Sequence, residues 1–241
     1  MRWIRFLDPK TEEPLTGELL DDVVRADGAE YRLEDVRLLA PCAPSKIVCI
    51  GRNYAAHAGE LGHDVPERPL LFLKPPSAVI GPGETIRLPD SAEVHYEAEL
   101  AVVIGARCRS VPADSARDVI LGYTCLNDVS DRVAQRWETN WVRAKGFDTS
   151  APLGPSIVTP DEIEEPFHVV LRLNGEVRQD GWTSDLIFSV PTLIEEVTAF
   201  MTLEPGDVIA TGTPAGVGRL SPGDVVEVEI EGIGTLRNPV A

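Results

Sequence analysis

His95-Tyr96-Glu97-Ala98-Glu99-Leu100-Ala101-Val102-Val103-Ile104 reads as a strand with an acidic mouth and an apolar body. Residues two apart in an extended chain share a face, so Glu97 and Glu99 project together while Ala98 and Leu100 point the other way. Paired carboxylates beside an apolar run repel each other unless a cation separates them. Taken alone, the pair fits an exposed strand end equally well. Asp128 tips the balance, because it closes a second buried-type strand, the apolar run at 119–126 followed by Asn127. Three acids form an all-oxygen donor set that selects a hard cation. Mg²⁺ or Mn²⁺ is expected, with Ca²⁺ also possible, whereas zinc more often recruits His or Cys. Three carboxylates around a dication leave roughly one negative charge, so an anionic substrate needs further cations nearby. Arg132, one helical turn beyond Asp128, and Lys145 are candidates.

Working outward, most of the chain has strand character. Residues 46–51, 70–73, 85–88, 100–104, 169–173, 208–210 and 225–230 suit strands. Turn signals at Gly81-Pro82-Gly83, Asn174-Gly175, Pro205-Gly206-Asp207 and Pro222-Gly223-Asp224 separate them. One helix is well signposted: Ser189 caps it, Pro191 suits its first turn, and Leu193, Ile194, Val197, Phe200 and Met201 share an apolar face. Shorter helices are expected over 130–138 and 112–117. Residues 1–42 read as a small β-rich region ending in a linker with Pro41 and Pro44, ahead of a catalytic domain at 43–241. The expected fold is mainly β with some α, built from packed or rolled sheets.

At 241 residues the chain holds one catalytic domain plus an appendage, with 43% apolar and 25% charged residues as in ordinary globular proteins. No apolar run approaches a membrane span, and no secretory signal is evident, so a cytoplasmic location is expected. A net charge of −17 argues against nucleic-acid binding. Cys42, Cys49, Cys108 and Cys125 lack C-x-x-C spacing and read as buried free thiols.

Six motifs, in order, carry a family resemblance: Ile50-Gly51-Arg52-Asn53-Tyr54, Leu71-Phe72-Leu73-Lys74-Pro75, Tyr96-Glu97-Ala98-Glu99-Leu100, Asn127-Asp128-Val129-Ser130, Ala144-Lys145-Gly146-Phe147-Asp148-Thr149 and Thr211-Gly212-Thr213-Pro214-Ala215-Gly216-Val217-Gly218. Over residues 45–240 the chain resembles the fumarylacetoacetate hydrolase family, of the bacterial acylpyruvase or 2-hydroxyhepta-2,4-diene-1,7-dioate isomerase type. The resemblance implies a mixed β-sandwich roll, usually a homodimer, with Mg²⁺ or Mn²⁺ on Glu97, Glu99 and Asp128. It implies a His57–Glu60 acid/base dyad, Lys145 as a catalytic cation, and Arg52, Arg132, Gln135 and Thr213 as substrate contacts. Ser150, where a bulkier residue is common, and Trp182, where small polar residues are usual, depart from the pattern.

Beside these stand plainer readings. His57 and Glu60 share a face if their segment is helical, and the carboxylate then orients the imidazole. His95 can share the face of Glu97 as a ligand or behind one, His63 belongs to a polar loop, and His168 is structural. Lys74 is either an anion contact or a strand-end charge that snorkels to water. The Thr211–Gly216 turn lacks phosphate-loop spacing, and its glycines suit backbone amides approaching a carboxylate. The expected reaction is metal-dependent C–C hydrolysis of a 2,4-dioxo acid of the acylpyruvate type. The alternatives are diene isomerisation or decarboxylation as in homoprotocatechuate catabolism, oxaloacetate decarboxylation, or an inactive protein that binds small acids.

Overall fold

The computed structural model describes residues 1–56 and 66–241. Its strand Ala98–Ile104 is buried at every position inside the largest sheet. The period of two assigns its faces: Ala98, Leu100, Val102 and Ile104 enter one hydrophobic core, and Ala101 and Val103 enter a second on the opposite side. Edge to edge, that sheet runs Ala29–Arg32, Val23–Ala26, Pro14–Leu20, Arg2–Leu7, Ala151–Val158, Ile120–Asn127, Ala98–Ile104, Val208–Ala210, Ile47–Gly51 and Leu70–Lys74. It is mixed, because Val208–Ala210 lies parallel to Ile47–Gly51 while the neighbouring pairings are antiparallel.

A four-stranded antiparallel sheet (Glu176–Trp182, His168–Leu173, Val225–Ile230, Gly234–Pro239) packs over the first core. It contributes Val169, Leu171, Val226, Val228 and Ile230 to that core. A smaller sheet of Ser130–Asp131, Val94–Tyr96 and Gly218–Arg219 frames the acidic mouth. The mainly β sandwich roll expected from the sequence is therefore the fold observed. Residues 2–39 continue the large sheet through Arg2↔Val158 and Trp3↔Ile157, and they carry a small core of their own around Ile4, Phe6, Val24 and Ala26.

The signposted helix spans Val190–Phe200, and Ser189 accepts from Thr192 N. Val190, Leu193, Ile194 and Val197 enter the first core. Phe200 does not: it is 55% exposed, because the helix stops there and Met201 turns extended. The helix expected over 130–138 is shorter, Arg132–Trp137, since Ser130 and Asp131 are taken up by pairing with His95 and Val94. The helix expected over 112–117 is instead a 3₁₀ segment, Ala113–Val119, with Pro112 extended at its N-cap. The expected strand at 85–88 reduces to one bridge between Ile86 and Val240. No helix among the described residues is long and apolar enough to cross a membrane.

Candidate active site

The acidic mouth is assembled by one antiparallel pairing. Ala98 sits opposite Asn127 and Glu99 opposite Leu126, which brings Asp128 level with Glu97. Asp128 N donates to Glu97 O at 2.8 Å, and Glu97 N donates to Asn127 Oδ1 at 3.0 Å. One carboxylate oxygen from each of Glu97, Glu99 and Asp128 then lies within 4.8 Å of the others. All three acids are buried, Glu99 and Asp128 almost completely. Burial, and then the charges of Asp128 and Glu97, push the Glu99 carboxyl well above the ordinary carboxylate range. Three converging hard oxygens with mutual repulsion fit one divalent cation.

Cations reach this cluster from other elements. Lys145, at the end of the short helix Val142–Lys145, donates to Glu97 Oε2 at 2.9 Å and Asp128 Oδ2 at 2.7 Å. Its ammonium also lies 4.9 Å from the centre of the Phe72 ring. Burial alone would lower the lysine's pKa; attraction to Asp128 and Glu97 outweighs it and holds the value above normal. Arg132 places Nη2 2.5 Å from Glu97 Oε1 and donates through Nη1 to Gln135 Oε1 at 2.8 Å. Its helix is capped by Asp131, which accepts from Val133 N and Ala134 N. Glu99 Oε2 accepts from Gly212 N at 2.8 Å. That approach needs glycine: φ is +100°, and a Cβ would fall 2.8 Å from Asn53 Cβ. The Thr211–Gly216 turn thus presents an amide to a carboxylate of the protein itself.

Lys74 corrects both sequence readings. It is neither at the surface nor in the cavity lining, and its side chain is fully buried behind Asp128. Its Nζ lies 2.8 Å from Asp128 Oδ1 and donates to the carbonyls of Val129 (3.1 Å), Lys145 (2.5 Å) and Ser150 (2.8 Å) and to Ser150 Oγ (3.0 Å). Ser150 is small here because it sits fully buried against that ammonium, its Oγ also donating to Lys145 O at 2.8 Å. Burial lowers the Lys74 pKa, against the pull of Asp128.

A cavity of about 500 Å³ opens beside the acids. Arg52, Arg132, Gln135, Lys145 and Thr213 all line it, together with Glu97 and Glu99. Arg52 holds a left-handed backbone (φ +58°) directly after the strand Ile47–Gly51. Such a conformation costs a non-glycine residue about 1 kcal/mol and tends to collect at functional sites. His95 lines the cavity without joining the three-acid cluster; its Nε2 lies 3.3 Å from Glu93 Oε1. Burial, and then Arg132, hold the ring below the usual histidine range. His57 and Glu60 lie outside the described residues, as does His63. Trp182 stands apart, 41% exposed and stacked on His168 at 4.5 Å, with His168 Nε2 2.8 Å from Asp180. All four cysteines are free, three of them buried.

Lys74 and Gln179 are the participants that the sequence reading did not place. Gln179 lies in the strand Glu176–Trp182, is 1% exposed, and bridges Ala98 N to the turn carrying Thr213. A buried position within an otherwise exposed strand is invisible without the opposing layer.

The family model for the C-terminal region of fumarylacetoacetate (FAA) hydrolase matches residues 46–241. The chain is 44% identical to the oxaloacetate tautomerase YisK of Bacillus subtilis over 225 residues, 87% of this chain and 75% of that protein. It is 47% identical to the crystal structure of 5-carboxymethyl-2-hydroxymuconate delta-isomerase from Mycobacterium smegmatis, with a TM-score of 0.92 over 100% of this chain and 98% of that one. Maleylpyruvate hydrolase from Sphingobium sp. SYK-6, solved with manganese(II) and pyruvate, is 33% identical with a TM-score of 0.86 over 100% and 99% of the two chains. Matched along its acidic strand, its cation-bearing loops and the sandwich that holds them, the chain belongs to the fumarylacetoacetate hydrolase family.

Proposed function

We propose that the chain is a divalent-metal enzyme that interconverts the enol and keto forms of a small 2-oxo dicarboxylic acid, of the oxaloacetate class. The observation that carries this is the buried charge balance. Glu97, Glu99 and Asp128 are equalled in number by Lys74, Lys145 and Arg132, which pair with Glu97 and Asp128. A divalent cation on the acids therefore leaves the site with two net positive charges, which suits a dianion. The cation, Mg²⁺ or Mn²⁺, would polarise the substrate's carboxylate and 2-oxo oxygens as a Lewis acid.

The protein groups divide the remaining work. Glu97, Glu99 and Asp128 hold the cation. Lys145 stabilises negative charge developing on the enol oxygen. Arg52, Gln135 and Thr213 receive the rest of the acid. The proton exchanged at C3 is assigned, on the family resemblance, to His57 oriented by Glu60. Loss of CO₂ from a carboxylate attached to the same carbon would leave an enolate at the same position, that of the acid one carbon shorter, so decarboxylation is a side branch of this chemistry. C–C hydrolysis becomes the second reading. The relatives named for tautomerase and isomerase activities are 44% and 47% identical, against 33% for the hydrolase. A cytoplasmic homodimer belongs to the proposal on the same resemblance.

Metal-stripped protein, reloaded with Mg²⁺ or Mn²⁺, tests the proposal on the enol form of oxaloacetate, with acetylpyruvate and a homoprotocatechuate-derived diene in parallel. Enol decay should be fastest and should vanish with EDTA. Equally fast acetylpyruvate cleavage would restore hydrolysis as the primary reaction. Rates indifferent to EDTA would overturn the metal assignment, and metal-dependent binding without turnover would mark an inactive binder.

A further inference from the structure

Gln179 reaches from the four-stranded sheet to the mouth of the large one, and two backbone groups fix which way its amide points. Its Oε1 accepts from Ala98 N at 2.9 Å, a group that can only donate. Its Nε2 donates to Pro214 O at 2.7 Å, a group that can only accept. No flip of the amide satisfies both. The second hydrogen on Nε2 is directed at Thr213 Oγ1, 2.8 Å away. Both amide hydrogens are then committed, and Thr213 Oγ1 is an acceptor in that bond.

A hydroxyl that accepts along one direction must send its own hydrogen along another. Thr213 lines the cavity beside Glu97, Glu99 and Lys145. Among the described residues nothing else bonds to its Oγ1. The turn that carries it is seated firmly: a Cβ on Gly216 would fall 2.1 Å from Arg178 O, so the turn lies flush against the strand that holds Gln179. Ala98, held by the other end of the amide, lies between Glu97 and Glu99, so one side chain contacts both the acidic strand and the Thr213 turn.

We infer that Gln179 is a positioning residue that turns the Thr213 hydroxyl into a hydrogen-bond donor to the cavity. The site then selects an oxygen without a proton at that point, a carboxylate or oxo oxygen, and disfavours a substrate that presents a donor there. The inference rests on the proposed reading of the cavity as a 2-oxo acid site.

Calorimetric binding of oxalate, a non-reacting dianion with two adjacent acceptor pairs, to the Mg²⁺-loaded protein tests it. Mg²⁺ affinity is measured separately for each protein. Thr213→Val should weaken oxalate by about tenfold, the worth of one hydrogen bond to a charged oxygen, and Gln179→Met, which keeps the hydroxyl but frees it to turn away, by about threefold. The double variant should bind no worse than Thr213→Val alone, because Gln179 acts on the ligand only through that hydroxyl. Mg²⁺ affinity should stay within about twofold throughout. Gln179→Glu, which still accepts from Ala98 N but takes the Thr213 proton for itself, should lose at least as much and keeps the test open if the Met variant does not fold. Losses that multiply in the double variant would overturn the inference, because Gln179 would then act on the turn and not through the hydroxyl. Wild-type affinity in the Gln179 variants would overturn it as well. Oxalate that fails to bind the Mg²⁺-loaded wild type would instead refute the 2-oxo acid reading, and this inference with it.

Discussion

Asp128 and Asp207 are both fully buried aspartates beside strand ends, and they are satisfied in opposite ways. Asp207 accepts from the backbone amides of Glu204 (2.8 Å), Ser45 (3.0 Å) and Lys46 (3.2 Å), from Ser45 Oγ (2.6 Å), and from the Lys46 ammonium. Burial would raise its pKa, but these donors outweigh it and hold the carboxyl below the ordinary range. The side-chain partners of Asp128 are the ammonium groups of Lys74 and Lys145, and it shares its space with two other acids. A backbone amide cannot turn to another partner, whereas an ammonium on a flexible stem can. The first carboxylate is locked into a turn; the second keeps its lone pairs available for a ligand.

The largest test of this contrast is Lys74→Met. It leaves Asp128 and three carbonyls facing an apolar side chain, and should cost about 3–5 kcal/mol in urea unfolding. A loss below about 1 kcal/mol would mean Lys74 is dispensable packing. Glu99→Gln should reduce Mg²⁺ affinity by about a hundredfold or more in calorimetry. The same substitution relieves repulsion, so the metal-free protein should become more stable by roughly 1 kcal/mol. A drop in stability would show that Glu99 is not strained. Asp207→Ala should do the reverse, costing about 2 kcal/mol with Mg²⁺ affinity unchanged.

The smallest effect is on pH dependence. Asp207 has a depressed folded-state pKa, so its contribution is complete above the unfolded value of about 4 and disappears as pH falls through the lower folded value. The stability gap between wild type and Asp207→Ala should therefore shrink only below about pH 4. A gap constant down to pH 2 would remove charge from the explanation of this turn.

What the sequence disclosed follows the same division. The Glu97–Glu99 alternation is legible because a strand has a period of two whatever packs on it, and Asp128 because it ends an apolar run. The helix Val190–Phe200 was legible through its cap and its proline. Lys74 was not. Beside Pro75-Pro76 it has the local signature of an exposed strand end, and its burial comes from Val129, Lys145 and Ser150, all more than fifty positions away. Gln179 was hidden for the same reason: six of the seven residues in its strand are exposed or half-buried, and the partners that bury it belong to other elements. Phe200 failed in the other direction, since helical periodicity says nothing about where the chain turns away. His57 and Glu60 keep only the support of the family resemblance and of their spacing.

The acids sit in and directly beside a single neighbouring strand pair, Ala98–Ile104 with Ile120–Asn127, and Lys145 lies only 17 residues beyond Asp128, whereas Lys74 and Gly212 arrive from farther along the chain. Contacts close in sequence form before distant ones, so on the folding pathway the acids and Lys145 assemble ahead of Lys74 and the Gly212 turn. A late step is then the electrostatic docking of the Lys74 strand onto an acidic hairpin. Salt that screens this attraction will slow the final closure, and a divalent ion present during refolding will meet its ligands before the rest of the site exists.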